Sequence, residues 1–145
     1  MKMLRHVGIT VRSLKRAISF YRDILGLKIK REMLEEGEYI DSLSRLKKIR
    51  VKTVKMSADD GSLIELLCYE SHAGKSFARK ICDKGYSHVA FTVENIDYEY
   101  GRLKKMGIKF NCTPLVSPDK KAKVVFCRDP EGNLIELVEE LKPQS

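Results

Sequence analysis

Along this chain, short runs of alternating apolar and polar residues are separated by stretches with helical spacing. Residues 4–11 alternate and are rich in β-branched side chains, which is a strand pattern. Ser13 is placed to cap a helix running to about Leu25. In it Leu14, Ala17, Ile18, Tyr21, Ile24 and Leu25 form one apolar stripe, and Gly26 supplies the left-handed stop. Residues 27–34 and about 48–57 read as strands, and Asp59-Asp60-Gly61 makes 48–69 a hairpin. Residues 74–83 read as a short connecting helix, and Gly85 ends the linker. The pattern then restarts. A strand over 87–93 precedes a helix from Asn95 or Asp97 to Met106, stopped by Gly107, and a strand over 108–112 follows. Strands 122–128 and 133–139 flank a turn at Asp129-Pro130-Glu131-Gly132.

The restart is a repeat. His6-Val-Gly-Ile-Thr-Val-Arg-Ser-Leu14 is echoed by His88-Val-Ala-Phe-Thr-Val-Glu-Asn-Ile96, and Asp60-Gly-Ser-Leu-Ile-Glu-Leu-Leu67 by Glu131-Gly-Asn-Leu-Ile-Glu-Leu-Val138. His6 and His88 are 82 positions apart (88 − 6), Gly26 and Gly107 are 81 apart (107 − 26), and Glu65 and Glu136 are 71 apart (136 − 65). The first copy therefore carries about ten extra residues, somewhere in 31–50, which read as a longer loop or hairpin. Each copy is β-α-β-β-β. The expected architecture is an α+β domain of two tandem βαβββ modules, about 4–70 and 86–140, joined by a short helical linker over 71–85. Neither half is large enough for a generous core of its own, so the two sheets are expected to pair or curve together.

Alternation also assigns faces. His6, Gly8 and Thr10 share one side of their strand, and Val7, Ile9 and Val11 the other. His88, Ala90 and Thr92 oppose Val89, Phe91 and Val93 in the same way. Glu65 stands against Ile64 and Leu66, and Glu136 against Ile135 and Leu137. Each strand thus has an apolar face suited to helices and an opposite face carrying His or Glu among small neighbours. One His or Glu on a strand is ordinary surface polarity. Two imidazoles and two carboxylates in matched register are a divalent-metal ligand set, because a carboxylate on a sheet face is costly unless paired or bound to a cation. Zn²⁺, Ni²⁺, Co²⁺, Mn²⁺ and Fe²⁺ all accept mixed nitrogen and oxygen donors.

Composition narrows the function classes. The net charge is +8, with a basic run from Arg45 to Lys55 and a second cluster at Lys120–Lys123. The run reads as a solvated strand face, or as attraction for an anionic small molecule. Nucleic acid is disfavoured: Trp is absent and no aromatic residues interleave with the basic run to stack on bases. The four cysteines, Cys68, Cys82, Cys112 and Cys127, form no C-x-x-C pair and read as thiols in a reducing compartment. No stretch approaches the roughly 20 apolar residues of a membrane span. Met1-Lys-Met-Leu-Arg-His6 runs straight into a strand pattern without an apolar leader, so a cytoplasmic location is expected.

At these residues the sequence resembles the vicinal oxygen chelate superfamily, which includes glyoxalase I. The likeness lies in His6-x-x-Ile-x-Val, Leu63-Ile-Glu-Leu66, His88-Val-Ala-Phe-x-Val and Asp129-Pro-Glu-Gly-Asn-Leu-Ile-Glu-Leu137, and it spans about 4–140. The resemblance implies paired βαβββ modules in a curved mixed sheet around one divalent ion, often in a homodimer. It implies His6, Glu65, His88 and Glu136 as metal ligands, with Glu136 the first candidate base and Glu65 its symmetric partner. The implied chemistry is that of a lyase or isomerase moving a proton next to a carbonyl through an enediolate. Alternatives within the superfamily are a methylmalonyl-CoA epimerase-type racemase, an extradiol-type dioxygenase and a non-catalytic small-molecule binding or resistance protein. The chain departs from bacterial glyoxalase I at Thr10, where an Arg for the glutathione end is expected, and at Cys68-Tyr69, where an Asn is expected. The thiol part of the substrate is thereby left open. Thr10, Tyr39 and Phe126 are the candidate substrate-binding residues. The expected partners are a small molecule with anionic character and a second copy of the chain.

Overall fold

A computed structural model describes residues 1–75 and 79–142. Contacts divide the chain into two compact units, Met1–Phe77 and Ala78–Ser145. Each holds one four-stranded mixed sheet.

In the first unit the order is β1 (Val7–Thr10), β4 (Leu63–Tyr69), β3 (Arg50–Ser57), β2 (Lys28–Glu36). β1 runs parallel to β4, and the other pairs are antiparallel. The Ser13 hydroxyl caps helix α1 (Leu14–Ile18) by accepting from the Arg16 amide at 3.3 Å. The helix runs on into a π-helical segment, Ser19–Ile24, and ends at Gly26 with φ 84°. Phe20 and Tyr21 from this segment are fully buried, their rings edge to face at 5.0 Å. Ile9, Val51, Val54, Met56, Ile64 and Leu66 supply buried strand side chains, each worth about 1.5–3 kcal/mol when fully removed from water.

The π-helical segment explains why the repeat offset slips from 82 to 81. The first copy holds one more residue between its histidine and its helix-stopping glycine. That residue is absorbed by i→i−5 hydrogen bonding, in which the Leu25 amide donates to the Phe20 carbonyl at 2.9 Å. The second copy needs no such device. Its helix α3 (Ile96–Lys105) is regular, is capped by the Asn95 side chain at the Tyr98 amide, and stops at Gly107 with φ 85°.

The insertion in the first copy differs from the loop or hairpin expected. β2 extends to Glu36, and a helix α2 (Glu38–Ser44) follows it. The Asp41 carboxylate pins the return to β3 by accepting from the amides of Lys48 and Ile49, each at 2.8 Å. Those two bonds, Ile49 first, hold the Asp41 carboxyl below its ordinary range.

The second unit repeats the order: β5 (His88–Thr92), β8 (Leu134–Glu140), β7 (Ala122–Arg128), β6 (Leu115–Val116). The strand expected over 108–112 reduces to a single bridge, Phe110 to Cys127, because the chain runs through a turn before pairing at Leu115. Pro114, with no amide hydrogen, stands at that break. The helical linker expected over 71–85 is not seen among the described residues, which form turns and bends; 76–78 lie outside them. No helix among the described residues is long and apolar enough to cross a membrane.

All four thiols are free. Cys127 is fully buried on β7, and that burial, with the Asp129 charge second, pushes its thiol up to about 11. It therefore stays protonated at neutral pH. Brief alkylation of the native protein at pH 8, read by peptide mass spectrometry, is expected to label exposed Cys82 and Cys112 and spare Cys127.

Candidate metal-ligand pairs

β4 lies between β1 and β3, and its alternation buries Ile64 and Leu66 while turning Glu65 to the opposite face. Glu65 is in register with Gly8 of β1 and Lys55 of β3. At Gly8 a Cβ would crowd Leu67 Cδ1 at 3.2 Å, and His6 stands just before β1. There the His6 Nε2 lies 3.0 Å from Glu65 Oε2. An ionised carboxylate only accepts, so the imidazole donates through Nε2–H. The other ring nitrogen, Nδ1, is buried and has no hydrogen-bond partner. The second carboxylate oxygen, Oε1, lies 3.4 Å from the Lys55 ammonium.

The second unit builds the same pair. Glu136 on β8 alternates with buried Ile135 and Leu137 and is in register with Ala90 and Phe126. His88 Nε2 lies 3.1 Å from Glu136 Oε2. Here the far side of the imidazole is held: Ser87 Oγ lies 2.7 Å from His88 Nδ1. With Nε2–H donated to Glu136, the hydroxyl donates to Nδ1 and fixes the tautomer. The Phe126 ring stands edge-on to His88 at 5.2 Å.

The predicted facing thus holds in both copies. His6 and Glu65 meet, His88 and Glu136 meet, and the apolar neighbours turn the other way. Among the described residues no group of three or more His, Cys, Asp or Glu side chains is gathered to hold a metal ion, and each unit holds one imidazole–carboxylate pair. Each pair offers one imidazole nitrogen and one carboxylate oxygen, the donor chemistry that borderline divalent ions take. The atoms that share a proton in each pair are those that would face a cation in its place.

Thr10 is exposed on β1, on the His6 face and in register with Leu67. Tyr39 is exposed on α2. Phe126 alone of the three candidate substrate-binding residues touches a paired histidine.

Sequence reasoning missed Lys55 and Ser87. Lys55 was within reach of it. Reflecting Glu65 through the turn centred at Asp60 lands on Lys55, and the same reflection of Glu136 through Glu131 lands on Phe126.

Known proteins resemble this chain over nearly its whole length. The sequence model of the Glyoxalase/Bleomycin resistance protein/Dioxygenase superfamily matches residues 3–137. A lactoylglutathione lyase of Schizosaccharomyces pombe is 30% identical over 98% of this chain, which spans about half (49%) of that relative's length. The crystal structure of a glyoxalase family protein from Bacillus cereus superposes with a TM-score of 0.88 at 32% identity, covering 98% of this chain and 96% of that one. The trypanothione-dependent glyoxalase I of Leishmania major shares the fold, with a TM-score of 0.68 at 22% identity, over 97% of this chain and 88% of its own.

Proposed function

Because the chain belongs to the Glyoxalase/Bleomycin resistance protein/Dioxygenase superfamily, we propose that it is a divalent-metal-dependent lyase or isomerase that moves a proton next to a carbonyl. His6, Glu65, His88 and Glu136 would hold one ion, and two copies of the chain would form the working assembly. The observation that carries this reading is the duplicated imidazole–carboxylate pair, with Nε2 to Oε2 distances of 3.0 and 3.1 Å at equivalent strand positions. When bound, the ion would supply Lewis-acid stabilisation of negative charge on two neighbouring substrate oxygens.

The chain's own residues divide the remaining work. Glu65 has both oxygens engaged, one by His6 and one by Lys55. Glu136 engages His88 through Oε2, and among the described contacts its Oε1 stays available to take a proton. Lys55 and Arg31 share the row of Glu65, whereas Phe126 stands beside Glu136; a carboxylate with no cation next to it is the better proton acceptor, which favours Glu136 as the base. The Ser87–His88 bond keeps the imidazole oriented while the carboxylate moves a proton. Phe126, against His88, supplies an apolar wall for the uncharged part of a small substrate.

Solvent-deuterium incorporation tests the reading. Protein loaded with Ni²⁺, Co²⁺ or Zn²⁺ is incubated in D₂O with hemithioacetals of methylglyoxal and small thiols. Deuterium at the carbon beside the carbonyl of the product, lost when the metal is chelated, is the expected result. Incorporation no faster than without protein, for every ion and thiol, overturns it.

A further inference from the structure

The row across the first sheet that contains Glu65 reads Gly8, Glu65, Lys55, Arg31. The equivalent row of the second sheet reads Ala90, Glu136, Phe126. One copy therefore sets a cation beside its carboxylate where the other sets an aromatic ring. Lys55 is no solvated surface lysine. Its side chain is 26% exposed and that of Glu65 is 14% exposed, with Nζ 3.4 Å from Oε1. Arg31, next in the row, adds charge of the same sign.

We propose that Lys55 is a specificity-determining residue: it neutralises Glu65 while no cation is bound, and it receives an anionic group of the substrate once one is. This deepens the metal-dependent reading and rests on it. A divalent ion taking Glu65 repels the ammonium already there, so Lys55 both weakens ion binding and swings aside when binding occurs. Swung aside, it is a half-buried ammonium without its carboxylate, which costs free energy until another anion meets it. A carboxylate or phosphate on the substrate is that anion. A neutral substrate leaves the ammonium unpaired. The long, flexible lysine stem suits this exchange of partners better than a planar guanidinium would.

The experiment has two readouts. Calorimetric titration of the metal-free protein with Co²⁺ is expected to show Lys55→Met binding about tenfold tighter than the parent, the size that removing one nearby like charge supports. Lys55→Arg should stay near the parent, and Phe126→Lys, which places a cation beside Glu136, should bind more weakly. On the Co²⁺-loaded protein, kcat/KM is compared for the methylglyoxal hemithioacetals of 3-mercaptopropionate, which is anionic, and 2-mercaptoethanol, which is neutral. Lys55→Met should cut the anionic-to-neutral preference about tenfold, and Lys55→Arg should restore it. Co²⁺ binding by the parent with Lys55→Met unchanged or weaker overturns the role of Lys55 and leaves the metal reading standing. Tighter Co²⁺ binding with an unchanged substrate preference overturns the substrate half of the proposal. If neither parent nor Lys55→Met takes up Co²⁺, the metal reading itself fails and the proposal falls with it.

Discussion

Replacing Glu136 with Gln is expected to lower turnover by roughly 10²–10⁴, the contribution a positioned acid–base group makes. The amide keeps the shape of the side chain and an oxygen toward His88 Nε2, 3.1 Å away in the parent. It cannot take a proton at the working pH. β8 should be undisturbed, because its buried anchors, Leu134, Ile135 and Leu137, are untouched. Circular dichroism and melting temperature should therefore match the parent, and metal content, measured alongside, separates loss of the base from loss of the ion. Glu65→Gln is expected to lose less turnover, since Lys55 and Arg31 share the row of Glu65 while Phe126 stands beside Glu136, and a carboxylate next to cations is the poorer proton acceptor. Full turnover by Glu136→Gln on an identified substrate, or a larger loss in Glu65→Gln with metal retained, would reverse the two assignments.

Leu66→Asp is expected to abolish or severely weaken folding. Leu66 is fully buried on the central strand β4, in register with buried Ile9 on one side and buried Val54 on the other. The substitution removes an apolar side chain and places a carboxylate between buried Ile9 and Val54. Together these cost about 3–5 kcal/mol or more, against a total stability of about 5–15 kcal/mol for a domain. Leu66→Ala, which leaves a void and no charge, should cost about 2–5 kcal/mol and remain measurable by urea denaturation. The neighbouring Glu65 is one residue away on the other face, so Glu65→Leu should be far milder in its effect on folding. Leu66→Asp melting at the parental temperature would refute the facing of β4 from which the position of Glu65 follows.

That facing was legible in the sequence because strand alternation has a period of two and the repeat states it twice. Ile64, Leu66, Ile135 and Leu137 are apolar where Glu65 and Glu136 are not, and the structure buries the first set. The Ser13 cap and both helix-stopping glycines were legible for a local reason, and of the two candidates for the second cap the structure uses Asn95: Ser13 and Asn95 accept from amides three residues on, and Gly26 and Gly107 adopt positive φ. The offset of one residue between the copies was visible too, but its physical meaning was not. A register count cannot distinguish a π-helical turn from a loop residue, since the difference lies in which carbonyl the Leu25 amide reaches.

The insertion was located and its form missed. Glu38–Ser44 is short, lies beyond an extended β2, and is held by the Asp41 carboxylate reaching seven and eight residues ahead. Such a contact leaves no periodic trace. The strand over 108–112 failed for the opposite reason: its side chains alternate, but Pro114 follows and only Phe110 pairs. Of the candidate site, the residue types and the strand face they share were legible. Lys55 was hidden in a basic run that reads as solvated, and only the cross-strand register separates it from its neighbours.

In the proposed site His6, Glu65, His88 and Glu136 serve one divalent ion. Metal stoichiometry tests it most directly: metal-free parent, His6→Ala and His88→Ala are each saturated with Co²⁺, desalted and counted by mass spectrometry of the metal against protein concentration. One ion per chain in the parent and a loss in both variants is the predicted result. Two ions per chain with one lost in each variant would show two independent sites, and an unchanged count in either variant would show that its histidine is no ligand.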